Sequence, residues 1–217
     1  MIAAAWPWLA LILLGAWHGL NPGMGWLFSV ALGLQQRSRC AVFAALVPIA
    51  LGHALAIGLV VFLVYMVGAV VPFRWLQMAG AAALFIVAFW KLWRARHPTW
   101  VGMCVSFWDL TLWSLLMASA HGAGLMVVPV LLGAKSAFCG TIPAGAGSSL
   151  LSFQPLLVSA AVGVHTLSHL VMSGLIAWVV YDLIGLAVLR RSWINLDLIW
   201  CLSLLGAAVF LFFAPLA

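Results

Sequence analysis

The chain has 217 residues, 67% of them hydrophobic and only 6% charged, with nine Lys and Arg against three acids. That balance excludes a soluble globular domain and places the chain among polytopic α-helical membrane proteins. The formal charge of +6 is not a nucleic-acid footprint, because the basic residues fall in short segments between apolar runs, where they report topology.

The apolar runs do not alternate in the manner of a barrel strand, so a spanning backbone has to be helical. Six spans are expected, at roughly 6–34, 41–70, 75–93, 108–133, 151–181 and 193–216. The first has no basic leader region and no small-residue cleavage pattern, so it is expected to stay in the mature protein. It is interrupted by Asn21-Pro22-Gly23, and Pro48 and Pro129 are expected to break the second and fourth spans. Residues 133–149 are rich in Gly, Ser and Ala and are expected to form a loop, partly re-entrant. "RARHPTW" (94–100) marks the middle of the molecule.

Seven of the nine basic residues (Arg37, Arg39, Lys91, Arg94, Arg96, Arg190, Arg191) lie between spans 1–2, 3–4 and 5–6, against Arg74 and Lys135 on the other side. The bias predicts a multi-pass protein of a bacterial-type inner (plasma) membrane with both termini outside the cytoplasm. Cys40, Cys104, Cys139 and Cys201 form no C-x-x-C and are expected to be ordinary thiols.

The two halves echo one another. His18-Gly19 in span 1 returns as His121-Gly122 in span 4, and "GHALAIGL" (52–59) aligns with "SHLVMSGL" (168–175), matching His53 with His169 and Gly58 with Gly174. Span 1 starts outside and span 4 inside, which predicts one membrane domain built as a 3+3 inverted repeat, 1–96 and 97–217, with its site near the midplane. At ~1.5 Å per residue, His18, His53, His121, His165 and His169 all fall near the middle of a ~30 Å core; His97 lies in a loop. Imidazoles are costly in lipid unless used, so these five are the candidate centre. His165 and His169, at i and i+4, share a face and suit chelation of one ion. Asn21 and Met24 belong to the broken turn beside His18. The acids Asp109, Asp182 and Asp197 fall at the inner ends of spans, suited to helix-end solvation or pairing with Arg190 and Arg191. Met117 and Met172, within a turn of His121 and His169, are either core filler or thioether donors.

"HGLNPGMG" (18–25) resembles the H-[AG]-L-[DE]-P-[DG]-H signature of the nickel/cobalt permease superfamily, in particular its six-helix exporter-like and UreH-like branches, and "LGHALAIG" (51–58) resembles that family's L-G-H-[ST] helix. The resemblance covers about sixteen residues in two spans. It implies metal contact by His18 and His53, with Pro22 and Gly23 shaping a broken helix. Asn21 and Met24 stand where the family has a carboxylate and a second histidine, which opens the site to Cu⁺ or to a small polar or anionic substrate as well as Ni²⁺ or Co²⁺.

These features predict a secondary transporter of a transition-metal ion (nickel, cobalt, copper or zinc) through a histidine site of His18, His53, His121, His165 and His169 with Asn21 and Met24. Two alternatives stay open: an intramembrane metal- or haem-binding redox protein or enzyme, and a structural subunit of a membrane complex. An enzyme is the weaker expectation, since no general base accompanies the histidines. The expected partners are the bilayer and the ion, with no nucleic acid; a homo-oligomer or a membrane partner subunit stays open.

Overall fold

The computed structural model describes residues 2–68, 71, 73–93, 106–133, 155–184 and 196–213. Regular structure among them is helical throughout: α1 (Ile2–Leu20), a 3₁₀ turn (Pro22–Met24), α2 (Trp26–Gln36), α3 (Arg39–Gly68), α4 (Phe73–Trp93), α5 (Phe107–Ala120), α6 (Ala123–Gly133), α7 (Pro155–Val179) closed by a π-helical turn (Val180–Ile184), and α8 (Leu196–Phe213). Residues 39–67 and 155–183 each form a helix long and apolar enough to cross a bilayer. The pair α5–α6 makes a third candidate, bent by 57° at its break, while 5–20, 77–90 and 201–213 are shorter apolar helices.

The distribution of polarity is that of a membrane protein. Leu13, Val47, Phe62, Ile86 and Phe89 are each more than half exposed, whereas His18, Ser29, His53, Ser114, His121, His165, His169 and Ser173 are buried. Apolar side chains face outward where lipid would cover them, and polar ones line the helix contacts.

Small residues draw the helices together in two pairs. On α1, a Cβ added at Gly15 would run into the His165 carbonyl, and one at Gly19 would stand 2.7 Å from the His169 carbonyl oxygen, so α1 lies directly on the backbone of α7. On α3, a Cβ at Gly52 would run into the Thr111 carbonyl, so α3 lies on α5 in the same way. A serine hydroxyl ties each contact: Ser168 Oγ donates to the Ile12 carbonyl and Ser114 Oγ to the Ile49 carbonyl, both at 2.6 Å. The third strong pairing is α4 with α8, across which Gln77 Nε2 donates to the Leu211 carbonyl at 2.7 Å.

Two expectations about the breaks are corrected. Pro48 and Pro129 lie inside continuous helices, α3 and α6. The fourth span breaks instead at His121-Gly122, where Gly122 adopts φ +67°, a conformation that ends a right-handed helix at little cost only for glycine. In the first span the break falls at Asn21-Pro22-Gly23 as expected, and it extends to Gly25 (φ +124°), where an added Cβ would strike the Ile49 side chain at 2.6 Å. The helix ends are closed by their own residues. Ser106 and Asp109 form a reciprocal capping box at the start of α5. Asp182 pairs with Arg39 at 3.0 Å, tying the end of α7 to the start of α3. That corrects the expected partner of Asp182; Arg190 and Arg191, like His97, Cys104, Cys139, Lys135 and residues 134–149 of the expected loop, lie outside the described residues.

Candidate metal centre

Four of the five midplane histidines meet. His18 comes from α1, His53 from α3, and His165 and His169 from adjacent turns of α7. Their ring centres are 5.5 Å apart for His18–His53, 5.0 Å for His18–His165, 5.6 Å for His53–His165 and 4.1 Å for His53–His169. All four side chains are at 0% exposure. The Gly15 and Gly19 contacts produce the meeting, because a helix that approaches another at backbone distance brings its neighbouring side chains, here His18, directly onto the facing turn.

The ring planes have a definite order. His165 and His169 lie 3° and 7° from the plane of His53, while His18 crosses His53 and His165 at 67° and 70°. His18 Nδ1 stands 2.7 Å from the Leu14 carbonyl, one turn back on its own helix. A carbonyl only accepts, so Nδ1 carries the proton and Nε2 keeps the lone pair that faces away from that helix. His53 has no hydrogen-bond partner on either ring nitrogen. His169 Nε2 is 3.5 Å from the Ser173 hydroxyl, which also lies 3.3 Å from the Gly19 carbonyl. A buried polar atom left unsatisfied costs about 1–3 kcal/mol. Several such atoms fall on this one cluster, and each calls for an explanation.

His121 is buried at the break between α5 and α6, and its Nδ1 stands 2.7 Å from the Met117 carbonyl, repeating the His18–Leu14 arrangement one helix pair away. It faces the broken turn of the first span: a Cβ on Gly23 would lie 3.2 Å from Met117 Cε, 3.3 Å from Asn21 Oδ1 and 3.9 Å from His121 Cε1. Asn21 Oδ1 accepts the Gly23 N–H at 2.9 Å, so the amide shapes the turn. Met24 is buried in the core that includes Ala56, Ile57, Ala118 and Ala123.

Among the described residues no three His, Cys, Asp or Glu side chains converge on one point that could hold a metal ion. The ring planes give the reason. An imidazole lone pair lies in the plane of its ring, so an ion in the plane of His53 is out of the plane of the stacked His169. The crossed pairs formed by His18 are free of that restriction.

Sequence reasoning did not single out Ser114, Ser168 and Ser173, which tie the helices around the histidines. Their signal is present as Ser168-His169 and as Ser173 one turn after His169, on the face that meets Gly15 and Gly19. A cavity of about 440 Å³ opens between α3, α6 and α7, lined by Gly58, Val61, Tyr65, Val158, Ser159 and Val162. It begins five residues beyond His53 and three before His165. Comparison with protein-family models, curated proteins and solved structures returned no match.

Proposed function

We propose that this chain is a secondary membrane transporter that passes a transition-metal ion through the His18, His53, His165 and His169 centre. The observation that carries the reading is a set of four fully buried imidazoles from three helices, with both nitrogens of His53 unpartnered. Neutral imidazole is the commonest protein ligand for transition metals of borderline softness, and in an apolar interior it has few other uses for its lone pair. His121, Asn21 and Met24 belong to the adjoining turn.

The same reading makes the chain a 3+3 inverted repeat of six spans. Its supports are local. Each half has a helix with a His at or near its C-terminal end, whose Nδ1 bonds the carbonyl four residues back, then a break, then an 11-residue helix, α2 or α6. The first long helix of one half packs on the second of the other, α1 on α7 and α5 on α3, as a two-fold axis requires. Rocking of such halves about a central site is how inverted-repeat carriers expose it to either side in turn. The setting is a multi-pass protein of a plasma membrane with both termini outside, as the Lys and Arg bias suggests.

The test is flux. Purified protein is reconstituted in liposomes, and Ni, Co, Cu and Zn are measured inside by elemental analysis. One of them is expected to move faster than in protein-free liposomes, and His53→Gln is expected to abolish the difference. No flux of any of the four, or flux indifferent to His53→Gln, would overturn the reading.

A further inference from the structure

We infer that the cargo of this centre is a soft monovalent cation of the Cu⁺ class, held by two imidazole nitrogens at a time. The inference rests on the metal-transport reading above and narrows it.

Charge is the first ground. The whole chain has three acids. Asp109 is occupied in the capping box with Ser106, Asp182 is paired with Arg39, and Asp197 stands in the first turn of α8. With Asp109 and Asp182 engaged at helix ends, an ion among the histidines keeps its full charge on neutral ligands. The cost of taking an ion out of water rises with the square of its charge, so a dication is penalised about fourfold over a monocation in the same site.

Coordination is the second. Among the described residues no three ligands converge, but His18 crosses His53 and His165 at steep angles with centres 5.5 and 5.0 Å apart. Two nitrogens at ~2 Å on either side of one ion put ring centres about 6 Å apart. The two crossed pairs come within about an ångström of that spacing, and the His53–His169 stack at 4.1 Å does not. A d¹⁰ monocation is satisfied by two such donors, whereas Ni²⁺, Co²⁺ and Zn²⁺ require four or more.

Softness is the third. The turn beside His18 brings up thioethers and no thiolate or carboxylate: Met24 is buried on it, and Met117 Cε lies 3.2 Å from the Cβ position of Gly23. Imidazole with thioether close by suits Cu⁺ and disfavours hard cations.

The experiment uses full-length protein in detergent with Cys40, Cys104, Cys139 and Cys201 changed to Ala, so that thiols do not compete. Its size-exclusion profile is matched to wild type. Ag⁺, a redox-inert monovalent probe, is titrated against Ni²⁺, Co²⁺ and Zn²⁺. The expected result is one Ag⁺ per chain, bound at least tenfold more tightly than any of the three dications and weakened at least tenfold by His18→Gln. A dication bound as tightly as Ag⁺, and lost in His18→Gln, overturns the monovalent inference and leaves metal transport standing. No ion bound above the level of the His18→Gln/His53→Gln variant overturns both. If the cysteine-free protein does not fold, wild type loaded with one Cu⁺ is read by X-ray absorption. A two-coordinate shell containing imidazole nitrogen is expected, and a four-coordinate or sulfur-only shell overturns the inference.

Discussion

The imidazoles of His53 and His169 stack face to face, with ring centres 4.1 Å apart and planes 7° from parallel, although the two residues stand on different helices. Two rings at that distance tolerate at most one added charge between them, because a second meets the first across a medium of low dielectric constant. An ion and a proton compete for the same lone pairs, so bound metal is expected to be released as pH falls. Affinity should be lower at about pH 4, well below the ordinary imidazole value of ~6.5, than at about pH 7.5. Metal titration at the two values checks this, and an affinity that is flat or rises on acidification contradicts it.

The glycine contacts give a steric prediction. Gly52→Val places side-chain atoms against the Thr111 carbonyl and 2.8 Å or less from Ser114 Cβ, and is expected to destabilise the protein by about 1–3 kcal/mol. Gly58→Ala and Gly163→Ala meet nothing within 4 Å and are expected to leave stability unchanged. Thermal unfolding in detergent separates the two groups.

The Arg39–Asp182 pair should matter little. The Arg39 side chain is 71% exposed, so water screens the pair, and Asp182→Asn is expected to cost no more than ~1 kcal/mol. A loss several times larger would show that the pair fixes the α3–α7 arrangement.

Topology is tested by labelling. In a cysteine-free background, a Cys at position 135 is expected to react with an impermeant reagent added outside, and a Cys at position 94 to react only after permeabilisation. The reverse pattern contradicts the orientation drawn from the Lys and Arg count. His97→Ala is expected to leave metal binding unchanged.

Much of this molecule is legible in the order of its residues. The break at Asn21-Pro22-Gly23 announces itself, because Pro has no N–H and Asn closes its own turn. The buried histidines announce themselves by being polar in apolar runs. Pro48 and Pro129 misled because a single missing donor is absorbed within a helix that packs well. Gly122 was the real break, and a lone glycine in a small-residue stretch gives no sign of its φ. The order of the ring planes is out of reach, since it depends on how closely Gly15 and Gly19 let α1 approach α7. Depth alone could group five histidines, but only packing separates the four in contact from His121 at the neighbouring turn.

The two serine ties bear on how the centre comes apart. Ser168 fastens α7 to α1, and Ser114 fastens α5 to α3. His18, His165 and His169 therefore travel together as one jaw, while His53 rides on the other. Sliding one fastened pair against the other leaves the His18–His165 crossing intact and pulls His53 away from all three. On the proposed function, the four histidines divide unequally along that seam, and an ion shared between His18 and His53 would lose one ligand as the seam opens. That parting requires no side chain to change rotamer, and among the described residues the ion pair it has to break between the two helix pairs is Arg39–Asp182, at one end of α3 and α7.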